Sequence, residues 1–224
     1  MGLHSAFRAR FLDVLASIYI YNEHRGYTSL DRVLEAVRAR CPGETNFVAA
    51  VEKHRADEEK HYRMFRRWFE LRGRMPLKVD RTCGHIDHFI EWVFGCTIED
   101  LDTAAIVADG DAFEKLCRVI MVTERRGMDQ VEVLLKNPNV LSDKAMTQIF
   151  KVVERDEPSH WIPYDAWLRA NGRRPQPRWQ ELWADYWIHK TLMLMKLPAV
   201  FINPASPRLS AWPDEDPQAY ALDS

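Results

Sequence analysis

A twenty-residue segment occurs twice in this chain. DEEKHYRMFRRWFELRGRMP, at residues 57–76, returns 99 positions later as DEPSHWIPYDAWLRANGRRP, at residues 156–175. At this constant offset of 99, the copies are identical at seven positions. These are Asp57, Glu58, His61, Trp68, Gly73, Arg74 and Pro76 in the first copy and Asp156, Glu157, His160, Trp167, Gly172, Arg173 and Pro175 in the second. EHRG from Glu23 and ERRG from Glu124 also resemble each other. The sequence therefore predicts a duplicated helical hairpin.

Hydrophobic residues recur with helical spacing, and Gly and Pro cluster where helices should end. We predict four long helices, at about residues 3–40, 45–73, 111–136 and 142–171, with a crossover at about 74–110 that holds a short helix near 85–95. A fifth helix is expected at about 178–196, before an irregular, Pro-rich end from Asn203. The predicted fold class is all-α: a bundle of two antiparallel hairpins at residues 1–175, with a C-terminal helix and tail at residues 176–224 packed on it.

The composition narrows the classes of protein that fit. At 224 residues and 46% hydrophobic content, one compact domain is expected. A formal net charge of −2, with acids and bases intermixed, provides no basic face, so nucleic acid is not an expected partner and only a tRNA substrate is left open. Four cysteines without a C-x-x-C pair, and no signal peptide or long apolar run, predict a cytoplasmic protein without a membrane span.

Four glutamates lie on apolar faces of these helices. The residues 4, 7 and 11 positions before a helical side chain, and 7 and 11 positions after it, lie on the same face. For Glu23, Glu58, Glu124 and Glu157, nineteen of these twenty neighbours are apolar, far more than a 46% hydrophobic composition would give by chance. The neighbours of Glu59 are mostly charged, as on an ordinary surface. The four glutamates are therefore predicted to face the core.

Their charge must be compensated. The four glutamates lie at similar distances from the turns of their hairpins, so antiparallel packing should bring them to one level. Uncompensated buried carboxylates cost several kcal/mol each. A histidine on the same side of the helix follows the second glutamate of each hairpin by three residues (Glu58 and His61, Glu157 and His160). Two divalent cations would balance the charge, and this donor set suits iron or manganese better than zinc.

The ordered set of Glu23, EEKH at 58–61, Glu124 and EPSH at 157–160 resembles the ligand pattern of the ferritin-like di-iron carboxylate superfamily. That superfamily includes ferritins, bacterioferritins, rubrerythrins, ribonucleotide reductase small subunits and several oxygenases. The resemblance covers roughly residues 3–171 and implies a ferritin-like four-helix bundle. It implies two Fe ions, or an Mn/Fe pair, one bound by Glu23, Glu58 and His61 and the other by Glu124, Glu157 and His160, with Glu58 and Glu157 as bridges.

The acid before each Glu-x-x-His resembles residues that, in this superfamily, hold the histidine of the opposite helix. A ligating histidine needs an acceptor on its other ring nitrogen to fix its tautomer. We therefore expect Asp156 to pair with His61 and Asp57 with His160, the alternative being that both are surface acids. Pro158, inside the second motif, and Pro163 should bend or bulge the fourth helix, which either opens a ligand position or is merely tolerated.

Other residues near the predicted site have two interpretations. His54, the one polar residue on these faces, is better explained as a hydrogen-bonded core histidine than as an extra ligand. Tyr19, Tyr27 and Tyr62 should face near the site, as electron or hydrogen donors or, more simply, as core packing. A second metal site at His85 and His88 is not favoured, because no matched acids accompany them.

The C-terminal helix carries tryptophans at positions 179, 183 and 187, on one face. Such an apolar stripe needs a cover. We expect it to dock on the bundle or on the partner chain of a homodimer, rather than on a membrane, because its polar face has few basic residues.

The favoured function is a redox enzyme whose reduced di-metal centre binds O₂ and oxidises a small organic substrate, an oxidase or oxygenase with an electron-donor protein as a further partner. The alternative is a ferroxidase or iron-storage protein, into whose shell the crossover and tail would have to be fitted. A rubrerythrin-like peroxidase is disfavoured by the absence of C-x-x-C. A helical interaction module with structural acids conflicts with the cost of burying them.

Overall fold

The computed structural model describes residues 3–216 and 218–220, and these are mostly helical. The helices are α1 (Leu3–Arg40), α2 (Thr45–Glu70), α3 (His85–Phe94), α4 (Thr103–Ala108), α5 (Gly110–Leu134), α6 (Pro138–Leu141), α7 (Lys144–Asp156), α8 (Pro158–Ala170), α9 (Trp179–Thr191) and α10 (Leu197–Ile202). Within the described ranges, the only β pairing is one isolated bridge between Leu77 and Arg208. The all-α prediction is confirmed. None of the described helices is long and apolar enough to cross a membrane.

Two hairpins form the centre of the molecule. In the first, α1 packs along α2; in the second, α5 packs on α7 and α8. The hairpins meet where α2 contacts α7 and α8, whereas α1 and α5 both line a central cavity. The second helix of each hairpin, which carries the repeated segment, therefore lies at the junction of the two halves.

The repeated Gly-Arg pair ends both of these helices. Gly73 and Gly172 adopt left-handed backbone angles, with φ of 60° and 66°. The next residue, Arg74 or Arg173, then donates its N–H to the carbonyl five positions back, which closes the last turn. The helix predicted to reach residue 73 consequently ends at Glu70, because the turn tightens before the glycine.

The predicted fourth helix, 142–171, is two helices. Its hydrogen-bond pattern is interrupted at Glu157, between α7 and α8, because Pro158 has no N–H to donate. His160 N–H donates instead to Glu157 O, three residues back, at 2.9 Å. The expected distortion thus lies at the second Glu-x-x-His. Helix α7 begins at Lys144, two residues later than predicted, because Asp143 caps it, accepting from Met146 N–H at 3.0 Å.

Each half of the chain adds a third helix, and these two helices pack on each other. The crossover forms α3 as predicted, and α9 is the corresponding helix of the second half. Arg25, two residues after Glu23, binds Asp87 of α3, and Arg126 binds Asp185 of α9. The duplication therefore extends beyond the hairpins. The crossover also forms α4, which was not predicted; Asp102 caps it by accepting from Ala105 N–H.

The tryptophan face of α9 does not dock on the bundle, contrary to one of the two expectations. The side chains at 179, 183 and 187 are 43 to 66% exposed. The docking face instead carries Glu181, Ala184, Asp185 and Ile188, because Glu181 pairs with buried Arg118 and Asp185 with Arg126. Homodimer burial of the tryptophans stays a prediction. The helix also continues past residue 196, through a π-helical segment into α10.

The described residues after Asn203, 204–216 and 218–220, are irregular, as predicted, and pack on the bundle. Leu209 N–H donates to Pro76 O at 3.0 Å, and Arg208 binds buried Asp13 of α1. Further on, Asp214 accepts a hydrogen bond from Tyr62 and pairs with Arg66, both on α2. The tail thereby covers one flank of the first hairpin.

A polar layer separates two apolar clusters of the core. On α2, Phe47 and Val51 belong to one cluster, and Phe65 and Phe69 belong to the other. The residues between them, from His54 to His61, include two buried acids and two buried histidines. Glu124 on α5 lies in the same position, between apolar residues 113–122 and Val131. The charged side chains between the two clusters therefore lie in one layer of the core.

Candidate metal centre

Side chains from four helices converge in the polar layer. Ligand atoms of Glu23, Glu58 and His61 lie within 4.8 Å of one another, and so do those of a second group, His54, Glu58, Glu124 and His160. Glu58 belongs to both groups, which is the position of a bridging carboxylate. Among the described residues, these are the two groups of His, Cys, Asp and Glu close enough to hold an ion.

The contacts within the first group are too long or poorly directed for hydrogen bonds. His61 Nδ1 lies 3.4 Å from Glu23 Oε2 and 4.0 Å from Glu58 Oε1. The imidazole is fully buried, and its Nδ1 has no hydrogen-bond partner among the described residues. A buried ring nitrogen that faces two carboxylates without bonding either is poised for a shared cation.

The second group repeats this arrangement around His160. Its Nδ1 lies 3.3 Å from Glu58 Oε1, 3.6 Å from Glu124 Oε2 and 3.8 Å from Glu157 Oε2. Glu157 is 5% exposed, and its Oε2 makes no hydrogen bond within the described ranges. Glu157 lies outside both compact groups but faces the same imidazole nitrogen, so all six residues expected from the sequence occupy this layer.

His54 is not the hydrogen-bonded core histidine expected from the sequence. It is 1% exposed, yet neither ring nitrogen has a hydrogen-bond partner in the part of the chain that the structure describes. Its Nε2 lies 3.5 Å from Glu124 Oε1, and its ring stacks on His160 at 4.2 Å between centroids. The sequence placed His54 on the same apolar face of α2 as Glu58, but its neighbours Glu124 and His160 belong to α5 and α8. His54 therefore joins the second group as a further candidate ligand.

The crossed aspartate–histidine pairs are present. His61 Nε2 donates to Asp156 Oδ2 at 3.2 Å, and His160 Nε2 lies 3.5 Å from Asp57 Oδ2. Lys60, whose role the sequence did not suggest, contacts both acids, at 2.5 Å from Asp57 and 2.7 Å from Asp156. Asp156 accepts the Nε2–H of His61, and Asp57 lies farther from Nε2 of His160, so in both pairs Nδ1 is the ring nitrogen directed toward the glutamates.

The repeated glycines make room for glutamates of the neighbouring helix. A Cβ on Gly26 would clash with Glu58 Oε2, and a Cβ on Gly127 would lie 3.3 Å from Glu157 Oε1. Both glycines follow a candidate ligand by three residues, in EHRG and ERRG. The repeat of Glu-x-x-Gly thus has a geometric reason, which the sequence alone did not reveal.

Burial and repulsion between neighbouring carboxylates raise the pKa of three of the four glutamates. Burial raises the pKa of Glu23 to about 8, with Glu124 adding to the rise, and burial also raises the pKa of Glu58 and of Glu157. Burial opposes the charge of Glu124 too, but His54 and His160 beside it lower its pKa. In the absence of cations, protons must neutralise part of this layer, and metal ions would displace them.

The three tyrosines named from the sequence have different surroundings. Tyr19 lines the cavity, and its buried hydroxyl has no hydrogen bond to a described residue; burial, Glu23 and Glu157 raise its pKa. Tyr62 points elsewhere, donating to Asp214 at 2.5 Å, and Tyr27 packs between Tyr62 and Arg55. Tyr27 and Tyr62 do not appear in the cavity lining and belong to one of the two apolar clusters, which agrees with the core-packing alternative.

Tyr164, His85 and His88 lie in three different surroundings. Tyr164 lies one turn past His160. Its hydroxyl is buried without a hydrogen bond among the described side chains, and its ring centroid lies 6.2 Å from that of His54. His85 Nε2 lies 3.1 Å from Asp185 Oδ1 between α3 and α9, whereas His88 faces Glu91. The two imidazoles thus have different neighbours.

The central cavity opens on the carboxylates. It has a volume of about 140 Å³ and is lined by all four glutamates of the layer, together with Gly26 and Gly127. Among the described residues that line it, none of the three histidines of the layer appears. The three imidazoles belong to α2 and α8. A candidate ion position therefore has histidines on one side and the cavity on the other.

Comparison with known proteins gave no relative: no family model, no curated protein and no solved structure matches this chain. The functional argument consequently depends on the geometry of the layer.

Proposed function

We propose that this protein is a di-metal carboxylate oxidoreductase, holding two Fe ions or an Mn/Fe pair, that activates O₂ to oxidise a small organic substrate. The observation that carries the proposal is the polar layer itself. It joins four carboxylates to imidazole nitrogens that are buried and, among the described residues, without hydrogen-bond partners. The cavity lies on the carboxylate side of the layer, where a substrate would reach the bound metals directly.

The spacing of the donors fits a cation between them. Two ligands bonded to one ion at about 2.1 Å lie about 3 to 4 Å apart. The nitrogen–oxygen separations around His61 and His160, 3.3 to 4.0 Å, fall in that range and exceed ordinary hydrogen bonds. The absence of thiolate in either group and the number of carboxylates favour iron or manganese over zinc.

The chain's own residues have separable roles in this proposal. Glu23, Glu58 and His61 would hold one ion; Glu124, His160 and His54 would hold the other, with Glu157 completing the set. Asp57 and Asp156 orient the imidazoles. The metals, when bound, supply the redox chemistry with O₂. Helix α3, which Arg25 of α1 fastens through Asp87, contributes His85, Ile86 and Ile90 to the cavity wall.

The helix order supports a ferritin-like architecture as part of the same proposal. Two antiparallel hairpins contribute one glutamate from each first helix and Glu-x-x-His from each second helix, which is the arrangement of carboxylate-bridged di-metal bundles. The interruption at Glu157 and the added third helices are features of this chain.

Metal content tests the proposal. Protein expressed with added iron or manganese should carry about two ions per chain, and the Glu124→Ala variant should carry at most about one. Glu132→Ala, an exposed glutamate on the same helix, is the matched control and should retain two. Metal-dependent O₂ consumption by the reduced protein in a small oligomer supports the oxidoreductase. Absence of metal would refute it, and a very large assembly with many irons per chain would identify an iron store instead.

A further inference from the structure

The wall of the central cavity is mainly aliphatic. Ten described Ile, Leu and Val side chains line it, among them Leu30 of α1, Ile90 of α3, and Leu116 and Ile120 of α5. All four of these are less than 5% exposed. The side of the cavity away from the glutamates is thus an apolar surface that water would wet poorly.

The polar side chains in the wall are engaged with the protein. Ser29 and Thr123 donate their hydroxyl protons to backbone carbonyls one turn earlier, and Arg32 donates to Leu101 O. Arg126 is paired with Asp185. Asn22 uses its amide on two carbonyls and its oxygen on His85 N–H. These side chains offer a ligand little free hydrogen-bonding capacity. His85 of α3, also in the wall, has Nε2 at 3.1 Å from Asp185 Oδ1, whereas its Nδ1 has no hydrogen-bond partner among the described residues.

Tyr19 is different. Its hydroxyl lies in the wall, is fully buried, and has no hydrogen bond from the described part of the chain. Glu23 and Glu157 lie close enough to affect its pKa. One polar group on a ligand could be satisfied here, at the carboxylate end of the cavity.

We propose that the cavity binds an uncharged, mainly apolar organic molecule about the size of one six-membered ring, with at most one polar group, placed at Tyr19. The assignment of this molecule as substrate rests on the proposed function. The size follows from the volume, since a cavity of about 150 Å³ lined by aliphatic side chains accommodates benzene.

The charge of the ligand follows from what the wall lacks. An anion would approach four carboxylates, and the arginines described in the wall are already paired or bonded to backbone. With two divalent ions present the layer is balanced, so a cationic ligand gains no net attraction there. An aliphatic wall solvates neither sign of charge, and the desolvation cost then disfavours both.

Access is provided beside α3. A solvent-facing depression lined by Arg25, Asp87 and Glu99 shares Ile98 with the cavity wall. Arg25 bridges Asp87 and Glu99 at 2.5 and 2.7 Å, on the solvent side of Ile98.

Calorimetric titration of the purified protein with three probes of one size tests the proposal. Toluene should bind, whereas benzoate and benzylamine should bind at least tenfold more weakly. Ile120→Ala enlarges the cavity and should shift the preference toward propylbenzene over toluene by at least tenfold. Ile149→Ala, equally buried in the other apolar cluster and outside the wall, is the control and should leave the preference unchanged.

The outcomes separate this proposal from the proposed function, because probe binding requires neither metal nor turnover. If the protein expressed with added iron or manganese contains no metal but binds toluene, the cavity proposal is upheld and the oxidoreductase is overturned. Two ions per chain without toluene binding, or with equal binding of benzoate or benzylamine, would overturn the cavity proposal alone. Ile120→Phe fills the space and should abolish binding; if it fails to fold, the Ile120→Ala preference decides.

Discussion

Gly26 of α1 lies against the carboxylate of Glu58 on α2, so closely that a Cβ on residue 26 would clash with Glu58 Oε2. Gly127 of α5 faces Glu157 in the corresponding way, with more space. One helix of each hairpin therefore omits a side chain where the other places a candidate ligand. This relationship links the backbone directly to the charge of the layer.

The Gly26→Ala substitution should separate folding from metal binding. Alanine at a helical position stabilises the metal-free chain by about 0.5–1 kcal/mol, but the methyl group displaces Glu58 from both ions. We expect metal affinity to fall at least tenfold, measured by competition with a chelator. Gly127→Ala should have a smaller effect. Gly43→Ala, in the open turn after α1, should bind metal like the parent; an unchanged affinity for Gly26→Ala would contradict the role of Glu58.

Exchanging Asp156 for Asn should weaken binding without removing a ligand. Asn keeps the shape but accepts more weakly from His61 Nε2–H, so the imidazole loses its fixed tautomer. Loss of such a partner typically costs 10-fold to 100-fold in metal affinity. Asp165→Asn, on α8 and paired with Arg169, is the control. Equal affinities for the two variants, by the same chelator competition, would show that Asp156 is only a surface acid.

His54→Phe tests whether this histidine serves the site or the core. Phe fills the space and removes two buried nitrogens that lack partners among the described residues, so metal-free stability should be unchanged or higher. Metal content should fall by up to one ion per chain. Stability is measured by urea unfolding in chelator, and content by mass spectrometry. Full metal content in the variant would return His54 to a packing role.

The metal-free protein should lose stability as the pH rises. Burial raises the pKa of Glu23 from its ordinary value of 4.5 to about 8, so the folded state binds a proton that the unfolded chain releases. This contribution is complete below about pH 4.5 and is lost as the pH increases toward 8. Urea unfolding in chelator at pH 5.5 and 8.5 should differ by more than about 1.4 kcal/mol, the value of one pKa unit.

Two comparisons check that assignment. Glu23→Gln cannot release this proton, so its stability should depend less on pH over the same interval. Bound metal replaces the proton, and the loaded parent should likewise lose less stability at pH 8.5. A parent protein whose metal-free stability is flat between the two pH values would show that Glu23 is ionised throughout.

The sequence by itself determined the long helices of the two hairpins, apart from the interruption at Glu157, and the faces of their side chains. Helical spacing places Glu23, Glu58, Glu124 and Glu157 in apolar stripes, and distance from each turn places them at one level. The pairing of Asp156 with His61 could also be anticipated, because the repeat places an aspartate and a histidine on each of two facing helices. These properties depend on backbone periodicity, which is local.

Only the tertiary structure decided which groups meet. His54 has the same stripe position whether or not a partner exists, and its proximity to Glu124 depends on how α2 packs against α5 and α8. Tyr62 bonds to Asp214 because the tail returns to α2. On α9, the pairing of Glu181 with Arg118 outweighs the tryptophan stripe. Periodicity sets the direction of a side chain from its own helix, whereas its chemical environment is set by elements far away in the chain.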